Sequence, residues 1–294
     1  MSSPPAIGLA TCGEVAELDA EGRLLLERLR GRGLAARPVV WTDGTEAWSE
    51  LDLVLLRSTW DYHQRPDAFR SWARALEGRI LNPLPLIEWN ISKRYLADLL
   101  DWGVPTVPTA FIGAGEPLEP PESGDFVLKP VVSAGSKDTA RYGRSAGDLS
   151  RAASHLARLS ALGREAMLQP YFEAVDSEAE TAMIFLGGEF SHAMRKGPLL
   201  ELGQELEEGL FRQEKMSRRE PTEAMLEVAC GALAAVESRL GASAYARVDL
   251  LPTADGDPHV LELELLEPSL FLDFHPPAAE ALAELLERWL IERR

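Results

Sequence analysis

The chain has 294 residues, is 46% hydrophobic and 26% charged, and carries a formal net charge of −17; the proportions are those of a globular protein and the length predicts two or three lobes. The acid excess argues against a nucleic-acid or anionic-membrane partner, either of which needs a basic face, and no apolar run approaches the ~20 residues of a bilayer span. The N-terminus MSSPPAIGLATCGE lacks the features of a signal peptide, and the two distant cysteines, Cys12 and Cys230, offer no disulfide scaffold or zinc cluster, so a cytoplasmic protein is expected.

In chain order, Ala6–Ala10 reads as a short buried strand. Glu21–Arg30 reads as a helix with a leucine stripe, stopped by Gly33. Pro38–Trp41 and the wholly apolar Leu51–Leu56 follow as strands, the latter as a parallel strand covered on both faces. Ala68–Leu76 is a predicted helix and Arg79–Asn82 a strand. This alternation defines a doubly wound α/β lobe over residues 1–87. A helix over Ser92–Trp102 is closed by Gly103, and Pro105–Ile112 is extended. Phe126–Val132, Ala146–Leu159 and Ala166–Gln169 read as strand, helix and strand of a smaller α+β lobe, residues 88–168. Beyond it, Thr181–Leu186 and Glu189–Arg195 form a hairpin through Gly187-Gly188. A polar loop, 197–220, leads to a helix over Thr222–Leu240. Strands Ser243–Leu251 and His259–Leu266 and a helix over Ala278–Ile291 complete a third lobe, residues 169–294. From Pro170 onward there are 25 acidic and 11 basic residues, so this lobe holds most of the excess.

Three constellations carry chemistry. The first is basic: Lys93 opens the Ser92–Trp102 helix and Lys129 ends the apolar strand Phe126–Leu128. A strand-end lysine can simply snorkel. Here it is followed by the small-residue turn Val131–Lys137, containing Ser133, Gly135 and Ser136, whose backbone N–H groups could cradle an anion. No Walker A or GxGxxG motif is present. The second is acidic: Arg247 and Asp249 share one strand face, and Glu262 and Glu264 alternate with Leu261, Leu263 and Leu265 on another. If the strands pair, three carboxylates converge and call for Mg²⁺ or Mn²⁺. The same alternation fits a solvent-facing acidic strip. The third is the segment Gln169-Pro170-Tyr171-Phe172, a strand stopped by proline between two lobes.

In this order the marks resemble the ATP-grasp superfamily: Asn90-Ile91-Ser92-Lys93, Lys129-Pro130, Ser133–Ser136, Gln169–Phe172, Arg247-Val248-Asp249 and Glu262-Leu263-Glu264. The Glu-x-Asn-x-x-x-Pro spacing is similar to that of bacterial glutathione synthetase, with Glu264 where that family has Asn and Glu267 as a substitute ligand. Leu56–Tyr62, Gly188–Ala193 and Glu264–Leu272 resemble the subfamily of the ligase that closes the D-cycloserine ring. The resemblance implies an α/β and α+β ATP-grasp fold. It implies a carboxylate–amine or cyclising ligase that uses ATP and Mg²⁺ through an acyl phosphate, on a small amino-acid-like substrate; homodimers are common in the family. Lys93 and Lys129 would contact phosphates, residues 133–137 cover them, Gln169–Phe172 receive adenine, and Glu178 or Glu180 bind ribose. Asp249, Glu262 and Glu264 would hold the metal, and Arg247, with Lys196 or Arg212, would steady the transferring phosphoryl group. The segment Arg57, Ser58, Thr59, Trp60, Asp61 and Tyr62 would meet the substrate, with Arg57 as anchor; equally, Trp60 and Tyr62 pack a loop. The rival functions are a catalytically silent ATP-binding regulatory protein on this fold and a two-lobed binding protein.

Overall fold

The computed structural model describes residues 4–197, 200, 202 and 216–292. The chain begins β1 (Ala6–Thr11), α1 (Ala20–Gly31), β2 (Ala35–Val40), β3 (Leu53–Ser58), α2 (Pro66–Ala75) and β4 (Ile80–Leu81). These strands form a parallel sheet in the order β2-β1-β3-β4. Alternation along its buried strands covers both faces: Ile7, Leu9, Leu53 and Leu55 pack with the leucines of α1, and Val54 and Leu56 with Phe69 and Ala73 of α2.

Two short helices follow, α3 (Leu84–Asn90) and α4 (Tyr95–Asp101). The single helix expected over Ser92–Trp102 is therefore shorter, and Lys93 lies in the turn before α4. The cause is tertiary. The Asn90 side chain donates to Leu263 O and accepts from Leu265 N, each at 2.8 Å, and Lys93 N donates to Val131 O at 2.9 Å. These bonds hold the intervening residues out of the helical ladder. Pro83 and Pro85 sit at the N-cap and in the first turn of α3, where proline is well tolerated.

The central sheet has β5 (Ala110–Ile112), β6 (Phe126–Pro130), β7 (Ala140–Tyr142) and β8 (Ala166–Pro170), with α5 (Ala146–Ala161) on one face. Its order is β5-β8-β6-β7, antiparallel throughout. After α6 (Ala174–Glu178) come β9 (Glu180–Leu186), β10 (Glu189–Lys196), β11 (Met216–Arg218), α7 (Glu223–Leu240), β12 (Tyr245–Pro252), β13 (Pro258–Glu264) and α8 (Pro276–Glu292). This third sheet is antiparallel in the order β11-β10-β9-β12-β13. The β9–β10 turn uses Gly187 and Gly188 at φ +60° and +85°, and a Cβ on Gly187 would lie 2.6 Å from Leu285 Cδ1 of α8.

The first and third sheets share one core. Leu25, Leu29, Leu53 and Leu55 join Ile184, Leu282 and Leu286 in a single cluster. Asn82 stitches the same seam, donating to Tyr245 O at 2.9 Å and Leu265 O at 2.7 Å. Arg32, the C-cap of α1, reaches Glu280 and Glu287 of α8 at 2.6 and 2.7 Å. The central sheet keeps its own core of Phe126, Leu128, Tyr142, Leu156 and Leu168. Among the described residues no helix is long and apolar enough to cross a membrane.

Candidate active site

The alternation of acids and leucines on β13 decides the site. Asp249 of β12 lies opposite Glu262, and Arg247 opposite Glu264, so the polar face of the paired strands gathers all four side chains. Ligand oxygens of Asp249, Glu262 and Glu264 all lie within 4.8 Å of one another. Asp249 is 1% exposed. Three carboxylates this close are held by resident cations. Arg247 donates from Nε and Nη2 to Asp249 at 2.9 and 3.0 Å, and also to Glu264. Lys196 of β10 bridges Glu180 at 2.9 Å and Asp249 at 3.2 Å. Lys129, at the end of β6, reaches Glu262 at 2.7 Å, and Lys93 reaches it at 3.4 Å.

The electrostatics follow from these neighbours. Burial raises the Glu262 carboxyl, but Lys129 and Lys93 outweigh it and hold the group well below the usual carboxylate range. Asp249 is likewise depressed, Arg247 and Lys196 overcoming desolvation. Glu264 is raised, because burial and the two neighbouring carboxylates exceed what Arg247 returns. Glu267 is pushed up to about 8 by burial and by the charge of Glu264. Glu267 is not in the three-carboxylate group, so the oxygen donors that come together are those of Asp249, Glu262 and Glu264. This hard, all-oxygen set fits Mg²⁺ or Mn²⁺.

The small-residue turn sits against this cluster. Gly135, Ser136 and Asp138 have φ of +61°, +57° and +56°, and Asp138 takes Arg158 at 2.8 Å and Arg164 at 2.7 Å. The Ser133 carbonyl accepts from Tyr62 Oη at 3.3 Å and Lys93 Nζ at 3.5 Å. In the 169–172 segment, Gln169 Nε2 donates to Thr109 Oγ1 at 3.0 Å, and Tyr171 N donates to Asp125 O at 2.9 Å. Pro170 ends β8, and Tyr171 and Phe172 pack against Val107, Val175 and Leu251. Ala179, at φ +62°, turns the chain between two acids. Glu180 points into the cluster, whereas Glu178 lies outside it, 60% exposed and 3.6 Å from Arg219. Arg212 lies outside the described residues.

The expected substrate anchor, Arg57, is buried in the fold. Strand β3 runs two residues further than its apolar run, so Arg57 and Ser58 belong to the strand. Arg57, Ser58 and Thr59 are each at most 1% exposed, and Arg57 Nε, Arg57 Nη1 and Thr59 Oγ1 have no hydrogen-bond partner among the described residues. Arg57 instead bonds Glu21 and donates to Pro268 O at 3.2 Å. Glu21 in turn accepts from Leu270 N and Leu272 N at 3.1 Å each. Trp60 and Tyr62 are buried and reach the wall of the cluster, Trp60 Nε1 donating to Glu267 O at 3.4 Å. Asp61, half-buried, takes the Trp41 indole N–H at 2.5 Å. Glu21 escaped the sequence reading because it looks like an ordinary first-turn acid of an amphipathic helix. Its partners lie 36 (Arg57), 249 (Leu270) and 251 (Leu272) positions away, and no local pattern marks them.

Fold and cluster together define an ATP-grasp ligase. Over 98% of both chains the structure superimposes on D-alanine–D-alanine ligase from Bacillus anthracis complexed with ATP, at a TM-score of 0.67 and 17% identity. It also matches the ATP-grasp ligase PsnB at 0.62 and 20% identity, over 98% of this chain and 99% of that one. Residues 7–82 match the family model described as the N-terminal domain of D-cycloserine synthetase DcsG. The chain is 37% identical to the cycloserine biosynthesis protein DcsG of Streptomyces lavendulae, across 96% of this chain and 99% of that protein. It superimposes on the crystal structure of D-cycloserine synthetase DcsG with a TM-score of 0.87 and 35% identity, over 97% and 99% of the two chains. The chain therefore belongs to the DcsG family.

Proposed function

We propose that this protein is an ATP- and Mg²⁺-dependent ligase that joins a carboxylate to an amine nitrogen, between molecules or by closing a ring, on a small amino-acid-like substrate of the D-cycloserine kind. The observation that carries the proposal is one junction: Lys129 from the central sheet and Lys93 both end on Glu262, beside Asp249 and Glu264 of the third sheet. A nucleotide's phosphates and their metal can exchange with those ion pairs at one place.

The lobes are taken as residues 1–87, 88–168 and 169–294, with the nucleotide between the second and third. Lys93 and Lys129 leave Glu262 for the phosphates, and the N–H groups of the Ser133–Ser136 turn cover them. Gln169–Phe172 receive the adenine edge, and Glu180, nearer the cluster than Glu178, accepts the ribose hydroxyls. Asp249, Glu262 and Glu264 would hold the metal, which would offset phosphate charge. The substrate carboxylate attacks the γ-phosphorus, the bond to the β-phosphate oxygen breaks and ADP leaves. The amine nitrogen then attacks the acyl carbon, the C–N bond forms, phosphate departs with the C–O electron pair, and the nitrogen loses a proton. Arg247 and Lys196 steady the charge on the moving phosphoryl group, so positioning and electrostatics supply most of the rate. The setting is the cytoplasm.

The test is thermal. Mg-ATP must raise the melting temperature of the wild-type protein, since any ligand of the native state stabilises it. An unchanged melting temperature overturns the nucleotide assignment. Nucleotide binding with only background ADP release across a panel of amino acids and amines overturns the ligase reading.

A further inference from the structure

The cluster leaves one acid unused. Glu267 is 7% exposed. Among the described residues its carboxyl has no hydrogen bond or ion pair to another residue, its one partner being its own backbone N–H. A buried carboxyl without a partner costs several kcal/mol to keep charged, so an acid retained there calls for a role. Its backbone is fixed. The Glu267 carbonyl takes Trp60 Nε1, the Pro268 carbonyl takes Arg57 Nη2 and the Ser269 carbonyl takes Arg247 Nη1 at 3.2 Å. Glu21 then holds the two N–H groups of Leu270 and Leu272. The side chain thus stands at the meeting of three pieces: the Trp60–Tyr62 segment, the metal-type carboxylates and Lys93. Glu264, Lys93 and Arg247 are the charges that act on it, and Tyr62 in turn feels its charge.

We infer that Glu267 is a specificity-determining residue, accepting an N–H-bearing cationic nitrogen of the amino-acid-like substrate. This rests on the ligase reading and deepens it. The cations already in the cluster are taken: Lys129 and Lys93 by Glu262, Lys196 by Glu180 and Asp249, Arg247 by Asp249 and Glu264. Glu267 is the acid left to receive one from outside. Its raised affinity for a proton comes from burial and the charge of Glu264, which outweigh Lys93 and Arg247, so it lacks a counter-ion of its own. An ammonium group brings that counter-ion and the N–H donors together.

The test uses two probes on the full-length protein, with D-cycloserine titrated calorimetrically into protein saturated with Mg²⁺ and the ATP analogue AMPPNP. Glu267→Gln keeps the shape and removes the charge, and Glu267→Ser controls for packing. Both variants are expected to bind Mg-AMPPNP as the wild type does and to bind D-cycloserine roughly ten- to a hundredfold more weakly, the range for losing a hydrogen bond to a charged group. Equal D-cycloserine affinity in wild type and Glu267→Gln overturns the inference. Wild-type protein that binds Mg-AMPPNP but not D-cycloserine overturns the inferred ligand class and leaves the nucleotide reading standing. Failure of the wild type to bind Mg-AMPPNP removes the ligase reading itself, and this inference with it.

Discussion

The two seams of the molecule both hold apolar cores but differ in the polar contacts laid over them. Between the first and third sheets the joint is apolar with a few buried polar stitches: Leu25, Leu53, Ile184 and Leu286 share a core, and Asn82, Glu21 and Arg57 satisfy backbone groups across it, while Arg57 Nε and Nη1 have no hydrogen-bond partner among the described residues. Between the central and third sheets Val131 and Met167 share a core with Met183, Phe185 and Leu263, but at the cluster itself the contacts are lysine–carboxylate pairs. Burying apolar area is non-directional and offers a small ligand nothing to replace. An ion pair can be exchanged for another partner of the same charge at modest net cost. One seam is therefore a fixed joint and the other a place where a charged ligand takes over existing contacts.

The sharpest way to break this contrast is Glu21→Ala. It strips Arg57 of its carboxylate inside the fixed joint and leaves two backbone N–H groups unpaired, a change of about 3–5 kcal/mol. The urea midpoint must fall steeply, while residual folded protein still binds Mg-AMPPNP; a variant of native stability would show the joint is not held this way. Next is Lys129→Ala. Nucleotide at about a hundredfold excess over Kd adds about 2.7 kcal/mol to the stability of a binding protein. The variant should lose that increment in a melting experiment, and a retained shift would take Lys129 out of the site.

A third test is a slope rather than a step. The Glu267 carboxyl sits at about 8 in the folded protein, above its ordinary value of 4.5. A raised acid pKa means the folded state keeps a proton that the unfolded chain releases. This group's contribution is complete below about pH 4.5 and is lost as pH rises toward 8, at no more than about 1.4 kcal/mol per pH unit. Ligand-free Glu267→Gln should flatten the melting-temperature profile between pH 5 and 8; an unaltered profile would mean the carboxyl is not buried as described. The smallest effect is expected from Arg32→Ala at the rim of the fixed joint, where the partners Glu280, Glu284 and Glu287 are part-exposed. The shift should be slight and should fade in high salt. A large, salt-independent loss would mean these pairs, and not the core, hold the joint.

What the sequence revealed divides along the same line. Strands β1, β3, β9, β12 and β13 were legible because their apolar periodicity is local, and with it the convergence of Asp249, Glu262 and Glu264. Lys129 was legible because a lysine after three apolar strand residues stands out. Arg57 misled because a charged residue after an apolar run reads as a strand end, whereas here it is a buried strand residue answered by Glu21 of α1. The split between α3 and α4 was hidden for a similar reason: Asn90 bonds to β13, and nothing near residue 90 announces it. Long-range polar pairs carry no periodic signal, so the fixed joint was read least well.

The packing of α1 against α8 also has a consequence in time. On a ribosome the parallel sheet emerges first, yet the cluster that holds Leu25, Leu53 and Leu55 is completed only by Ile184 of the third sheet and, at the far end of the chain, by Leu282 and Leu286. The central sheet, whose core is drawn from residues 112–168, can close as soon as it is made. Early domains generally fold as they leave; this one must wait, its oldest segment finished by its youngest. Truncation of α8 would therefore damage the beginning of the protein as much as its end.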